Sequence, residues 1–225
     1  FIMTETPRAV FIIMLIIVCA AAVRSGIEVF SRCSAVFAVI VPIMFLFVAA
    51  LLLKDMNINH FLPIIDISPQ KFIQSVHIIL TIQFGDIVAL LMILPYTENN
   101  KKIRKPMLIG VSLSAALLLF TVIVSTAVMG TRMYDSTSVT FAIATEIDIA
   151  NVLTRLDVLI AITLLLTVFV KVTVFYYATV LGMAQLLKLR SYKPLIVPVG
   201  IIAIAISINL YPSDMEQVYC AQYIW

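Results

Sequence analysis

The sequence predicts an all-α polytopic membrane protein, and three observations lead to this fold class. Hydrophobic residues make up 63% of the 225 residues and charged residues only 12%, whereas a water-soluble domain carries about 25% charged residues. Apolar runs recur along the chain, and several reach the roughly 20 residues that a helix needs to cross a bilayer. Lys and Arg are concentrated in alternate connections between these runs, as in proteins that cross the membrane repeatedly.

Six complete spans and the start of a seventh are predicted in chain order. Their approximate bounds are 7–23, 27–53, 72–95, 106–130, 155–179 and 194–211, with a further segment from 218. Thr6 is a suitable N-cap and Pro7 a suitable first residue for the first span, and Pro42 is expected to kink the second. The connections 54–71 and 131–154 are polar loops. Because both ends stop abruptly, we expect residues 1–225 to be a fragment of a single transmembrane domain in a longer protein.

The charge distribution predicts how the spans are oriented. The connections after the first, third and fifth spans hold nine basic residues and only two acids, Glu28 and Glu98. The basic residues are Arg24, Arg32, Lys101, Lys102, Arg104, Lys105, Lys188, Arg190 and Lys193. By the positive-inside rule these connections face the cytoplasm. A basic run such as 101–105 can also bind nucleic acid, but beside a span it indicates topology, so we expect no nucleic-acid partner.

The third span is interrupted in its middle by Gln83-Phe84-Gly85-Asp86. The Gly weakens the helix, and the carboxylate resists transfer out of water. Such a break is tolerated where the backbone lines a cavity within the protein, and transporters build solute sites from helices of this kind. We therefore predict a solute site here. The alternative is a flexible Gly beside an Asp that merely faces a neighbouring helix.

Asp86 and Lys171 form the second prediction, a charge pair. The third and fifth spans run in the same direction, and each residue lies about fifteen positions from the outer end of its span, roughly 20 Å deep. Opposite charges within about 4–6 Å keep one another ionised. We expect the two side chains to face each other, directly or through solvent and the site. The alternative is that Lys171 extends toward the cytoplasmic headgroups.

A structural motif is predicted at the first connection. Gly26 allows a sharp reversal between two spans. Glu28 and Arg32 are four residues apart, with Glu nearer the N-terminus, which is the favourable order for an ion pair on one helix face. This stretch is interpreted as a hairpin stabilised by an ion pair, rather than as a ligand site.

Other polar residues give weaker signals. Thr163 and Thr167 recur along the fifth span, where Thr usually bonds a preceding carbonyl and only sometimes meets a ligand. Tyr176 and Tyr177 are expected in an aromatic belt at the membrane interface. No His, Cys or carboxylate spacing suits a metal, and no motif indicates a cofactor or a nucleophile with its base. An enzyme is therefore not expected.

Several of these stretches together resemble the spore germination permeases. The matching stretches are Thr6-Pro7, Gly26-Ile-Glu-x-x-x-Arg32, Phe84-Gly-Asp86, Arg155-Leu-Asp157 and Lys171 to Tyr177. This family comprises the membrane-embedded B subunits of the nutrient germinant receptors, within the amino acid–polyamine–organocation superfamily. The resemblance covers essentially the whole chain.

The resemblance implies a ten-helix fold of two inverted five-helix repeats, with the first and sixth helices unwound at their centres. The chain would then be a partial copy of that inverted-repeat transporter fold, and its third span would be the broken sixth helix. Carried over by position, the implied ligand-binding residues are Thr81, Gln83, Phe84, Gly85 and Asp86, with Thr163 and Thr167 as further candidates.

The resemblance also implies a function and partners. The chain would bind a small-molecule germinant, such as an amino acid, nucleoside or sugar, in the spore inner membrane. The A and C receptor subunits would convert occupancy into germination. Two alternatives remain open: an ion-coupled amino acid permease, and a structural subunit whose broken helix has no ligand.

Overall fold

The computed structural model describes residues 7–54, 56–62, 68–96, 103–130 and 156–210. Within these ranges the chain is 91% helical and contains no strand. Of the described helices, five are long and apolar enough to cross a membrane, and Lys193–Asn209 is a shorter apolar helical stretch. The predicted fold class, an all-α polytopic membrane protein, is confirmed.

In the residues that the structure describes, six α-helices alternate with shorter helical segments. The α-helices are α1 (Arg8–Ser25), α2 (Ile27–Leu51), α3 (Pro69–Ile79), α4 (Arg104–Met129), α5 (Leu156–Leu186) and α6 (Ile196–Asn209). A π-helical turn (Leu80–Phe84) and a 3₁₀ helix (Gly85–Met92) follow α3 directly. Short 3₁₀ turns lie at Leu52–Lys54, Ile58–Phe61, Leu94–Tyr96 and Lys193–Leu195.

The helix bounds differ from the predicted ones mainly at the end of the fifth span. α5 continues to Leu186, seven residues past the predicted end at 179, because the sequence from 180 to 186 contains no helix breaker stronger than Gly182. Pro42 lies inside α2, and the kink predicted there stays a prediction. The predicted loop 131–154 and the predicted segment from 218 fall outside the described residues.

The first of two compact units comprises Phe1–Ser34, Gln74–Tyr96 and Val168–Trp225. Here α1 packs against α6, and the carboxyl-terminal half of α5 completes the core. The buried core residues are Cys19, Val23, Tyr176, Tyr177, Val180, Leu181, Ile196 and Val199. Burial of these side chains stabilises the first unit. The rest of its surface is mostly apolar and suits contact with lipid.

Tyr176 and Tyr177 lie in this core, so the prediction of an interfacial aromatic belt is wrong for both. Only 5% and 3% of their surfaces are exposed. Tyr176 donates its hydroxyl hydrogen to the carbonyl oxygen of Ile196, a partner that a buried tyrosine requires. Gly200 makes room for that hydroxyl, since a Cβ at this position would lie 2.6 Å from the Tyr176 oxygen.

The second compact unit comprises Ala35–Ile73 and Thr97–Thr167. Its core consists of Ala49 and Leu52 from the end of α2 and the 3₁₀ turn after it, with Val124 and Met129 from α4. The amino-terminal half of α5 contributes Leu159 at the edge of this cluster.

The turn Ile58–Phe61 closes the carboxyl-terminal end of α4. The carbonyl oxygen of Ala127 accepts the N–H of Asn57 at 2.9 Å, and the Nδ1 atom of His60 lies 2.9 Å from the same oxygen. These contacts satisfy a carbonyl that the helix ladder leaves open at its last turn. Gly130 ends the helix with φ +53°, and a Cβ there would lie 2.9 Å from the His60 ring.

Candidate functional site

The third span changes its hydrogen-bond pattern at the position where the sequence places the interruption. The α-helical ladder ends at Ile79, and a π-helical turn is followed by eight residues of 3₁₀ helix. Single π turns inside helices are frequent at functional sites, and 3₁₀ stretches within a helix often mark hinges. The span is therefore discontinuous as an α-helix from Leu80 to Met92.

The backbone at the break remains helical, which corrects the unwound geometry that the resemblance implies. Gly85 has φ −59° and ψ −31°, and its N–H bonds to the carbonyl oxygen of Thr81. Phe84 has φ −105° and ψ −17°. An extended segment would leave peptide groups without partners at membrane depth, whereas a change of helix type keeps most of them bonded.

Asp86 and Lys171 form an ion pair between the 3₁₀ helix and α5. The Lys171 Nζ atom contacts the Asp86 Oδ2 atom directly. Both residues belong to the first compact unit. The protein leaves 57% of the Lys171 side chain and 37% of the Asp86 side chain uncovered. The pair therefore borders a space that lipid, solvent or a solute can occupy.

The position of Lys171 along α5 argues against the alternative of a headgroup contact. The candidate span runs from Val158 to Leu186, and Lys171 lies near its midpoint, roughly 20 Å from either end at 1.5 Å per residue. A four-carbon side chain cannot reach across that distance. The ammonium group instead has its partner at its own depth.

A second contact aligns the 3₁₀ helix with α5. The Cε atom of Met92 would lie 3.5 Å from a Cβ placed at Gly182, and Met92 packs against the core of the first unit. Together with the Lys171–Asp86 contact, this means that the 3₁₀ helix runs along α5 in the same direction. The ion pair lies at one end of this interface and apolar packing at the other.

The remaining candidates of the third span lie around the turn before Asp86. Thr81 donates its hydroxyl to the His77 carbonyl oxygen at 2.9 Å, so its side chain is bonded within its own helix. Gln83 is exposed and Phe84 is half-buried. A Cβ added at Gly85 would meet nothing within 4 Å, so the backbone here borders open space.

Thr163 and Thr167 lie on α5 in the second unit. Both hydroxyls bond carbonyls of their own helix: Thr163 to Leu159 at 2.8 Å, and Thr167 to Leu164 at 2.8 Å. Thr163 also lies 3.3 Å from the Met44 sulfur. These contacts are those of ordinary membrane-helix threonines.

Thr163 lines a small cavity that the sequence did not indicate. The cavity has a volume of about 40 Å³ within the second unit. Its other lining residues are Met44, Phe45, Val48, Ala49, Leu52, Phe120, Thr121, Val124, Ser125, Ile160 and Leu164. Most are apolar residues of helices that are apolar on all sides, so no periodicity in the sequence could have selected them.

The residues of the predicted hairpin motif form a local turn and an ion pair, and the reversal between the two spans stays a prediction. Gly26 adopts φ +98° between α1 and α2, a conformation that favours glycine. The Arg32 Nη2 atom lies 2.8 Å from Glu28 Oε1, and both side chains are 80% exposed. An exposed pair of this kind contributes little to stability, about 0.3–0.5 kcal/mol.

Within the part of the chain that the structure describes, no group of three His, Cys, Asp or Glu side chains is arranged to hold a metal ion. The Asp86 carboxylate and the Lys171 ammonium are in contact within the first unit.

Comparison with known proteins identifies the family. Searches among curated proteins and among solved structures find no match. The family model of the spore permeases, described as spore germination protein, matches residues 1–215. Because this match covers nearly the whole chain, as the residue motifs predicted, the chain is a multi-pass membrane protein that belongs to the spore germination permease family.

Proposed function

We propose that the chain is the nutrient-sensing subunit of a spore germinant receptor. It binds a small solute, such as an amino acid, nucleoside or sugar, at Thr81–Asp86 and triggers germination. The A and C receptor subunits in the spore inner membrane are its partners. Membership of a germination family supports the general role, and the local structure of the third span supports the solute site.

One observation carries the proposal: an ion pair stands where the third span departs from α-helical geometry. A charge pair at membrane depth costs free energy, so its presence favours a functional role over a packing role. The change of helix type supplies a segment whose backbone can rearrange. A ligand that binds one arrangement better than another shifts the population toward it, which is the minimum that a sensor requires.

The test is germination of spores that carry Asp86→Asn, measured as a dose response to a panel of amino acids, nucleosides and sugars. We expect the half-maximal concentration to rise at least tenfold for the effective nutrient, because loss of a hydrogen bond to a charged group costs about 1.5–3 kcal/mol. Glu28→Gln is the matched control, since it neutralises an exposed carboxylate in the hairpin. Immunoblotting verifies that both variants accumulate. An unchanged dose response for Asp86→Asn would refute the proposed site.

A second candidate function is an ion-coupled amino acid permease, which the ion pair also favours because ionisable groups within spans mark ion and proton pathways. Uptake of radiolabelled amino acid into proteoliposomes that contain the complete protein distinguishes a permease from a sensor. A sensor accumulates no solute above the empty-vesicle level. A permease accumulates it, and an imposed proton or sodium gradient increases the uptake.

The variant Gly85→Val distinguishes a sensor from the third candidate, a structural subunit whose broken helix binds no ligand. A β-branched residue at the break stiffens the backbone of the segment. Under the sensor proposal the dose response shifts. A structural subunit would leave nutrient specificity and sensitivity unchanged.

A further inference from the structure

We infer that one end of the first unit is a docking surface for the headgroups of anionic phospholipids. This surface, the basic patch, consists of Arg24 near the end of α1 and of Lys188, Arg190 and Lys193 between α5 and α6. The inference concerns the lipid around the protein, so it is independent of the solute site in the third span.

The fold brings the two parts of the basic patch to the same end of the unit. Val23, which directly precedes the arginine of the patch, and Ile196, the first residue of α6, belong to one buried cluster. The ring of Tyr192 meets Tyr177 of that cluster edge-on, with 5.5 Å between the ring centroids. The end of α1 and the α5–α6 connection therefore adjoin one another, and all four basic residues are exposed.

The charge of the basic patch is not balanced from within the described part of the unit. The carboxylates of that part are Glu28 and Asp86. Each already contacts a cation outside the patch, Arg32 in one case and Lys171 in the other. Four exposed cations without a described carboxylate partner create a positive field that attracts anions from outside the unit.

The position of the connection and its exposed leucines favour a lipid as the source of the anion. The candidate span in α5 ends at Leu186, and the next apolar helical stretch begins at Lys193, so the connection lies where spans reach the headgroup region. Leu186, Leu187 and Leu189 expose 83%, 59% and 45% of their surfaces. An anionic membrane surface offers hydrocarbon to these leucines and phosphate to the cations between them. An acidic protein surface would match only the cations.

The backbone at Lys188 also indicates a role for its charge. Lys188 has φ +52°; its N–H donates to the Gln185 carbonyl oxygen, and the Leu189 N–H donates to the Ala184 carbonyl oxygen at 2.9 Å. This pattern is a Schellman C-cap, in which glycine is usual at the left-handed position because a side chain there is strained. The chain therefore keeps a cation at a position where helix termination alone favours glycine.

The test measures the lipid preference of the complete protein with spin-labelled phospholipids. The protein is reconstituted in phosphatidylcholine vesicles that contain a trace of spin-labelled phosphatidylglycerol or phosphatidylcholine, and electron paramagnetic resonance gives the fraction of each label that the protein immobilises. We expect phosphatidylglycerol to associate about fivefold or more strongly, since one basic residue at a membrane surface is already worth about that factor. At about 1 M salt, where the Debye length is about 3 Å, the preference should fall to about twofold or less.

A double variant and a matched control assign the preference to the basic patch. Lys188→Gln/Arg190→Gln should reduce the preference for phosphatidylglycerol at least about threefold. Arg8→Gln/Lys54→Gln removes the same charge from exposed residues outside the patch and should change the preference by less than about 1.5-fold. Circular dichroism verifies that both proteins keep their helix content.

The variant Lys188→Gly separates the charge of the lysine from its role in the helix cap. Glycine suits the left-handed backbone, so the unfolding temperature should stay the same or rise. The preference for phosphatidylglycerol should nevertheless fall about twofold. An unchanged preference in this variant would overturn the role of Lys188 in the patch.

Three other results would overturn the inference. If Lys188→Gln/Arg190→Gln keeps the wild-type preference, the basic patch does not bind lipid, which is the result expected of a surface that docks an acidic protein. If Arg8→Gln/Lys54→Gln loses as much preference as the double variant, the lipid responds to overall charge and not to a site. If an excess of inorganic phosphate displaces the labelled phosphatidylglycerol, the patch is a site for free anions.

Discussion

A double-mutant cycle on Asp86 and Lys171 measures the physical basis of the site. The perturbations are Asp86→Asn, Lys171→Met and the two combined. Each single substitution leaves one ion without its partner in a membrane span, whereas the double substitution leaves none.

The expected magnitude follows from the cost of an unpaired charge in a bilayer. A single charged side chain near the centre of a span costs about 2.5–3.5 kcal/mol on insertion scales. Breaking a fully buried ion pair by removal of one partner costs about 3–5 kcal/mol. Because the protein leaves 57% and 37% of these two side chains uncovered, each single variant should lose less, about 1–3 kcal/mol in the free energy of unfolding. The double variant should lose less than either single variant, because neither charge is left to desolvate.

The assay is denaturant unfolding of the complete protein in bicelles, followed by far-ultraviolet circular dichroism, with linear extrapolation to zero denaturant. Lys188→Met removes the same charge from an exposed turn residue and should change the free energy of unfolding by at most about 0.5 kcal/mol. If each single variant loses less than about 1 kcal/mol and the two losses add in the double variant, water screens the pair. That result would refute the reasoning.

Three further predictions test the packing, the break and the hairpin. Gly200→Ala should destabilise the protein by about 1–3 kcal/mol, because its Cβ would lie 2.6 Å from the Tyr176 hydroxyl oxygen. The control is Gly110→Ala, whose Cβ would meet nothing within 4 Å; it should be neutral or stabilising by up to about 1 kcal/mol. Thermal unfolding of both variants in detergent measures the difference. Gly85→Ala should raise the free energy of unfolding by about 0.4–1 kcal/mol yet shift the germination dose response; a stabilised protein with an unchanged response would count against a hinge at this position. Glu28→Gln should cost no more than about 0.5 kcal/mol, since its ion pair is exposed, and a larger loss in the same unfolding assay would show that the hairpin contributes more than its geometry suggests.

The sequence by itself determined the class of protein. It also predicted the places of the five described candidate spans and the contact between Asp86 and Lys171. Composition decides membrane insertion because apolar residues in such excess cannot be buried within 225 residues of soluble protein. Asp86 and Lys171 could be matched from the sequence because depth in a membrane is a function of position along a span. Ionisable residues are rare within spans, so few pairings needed to be considered.

Tertiary structure alone decided the type of helix at the break and the packing partners. The sequence indicated an interruption at Gly85, but hydrogen bonding in the folded chain selects a π turn and a 3₁₀ helix over an unwound segment. Tyr176 is buried rather than interfacial because α5 continues beyond it and α6 supplies its hydroxyl with a carbonyl. Helices that are apolar on every side carry no periodicity that distinguishes the lipid face from the core face. Which face is buried therefore depends on the neighbouring helices, and only the folded structure provides them.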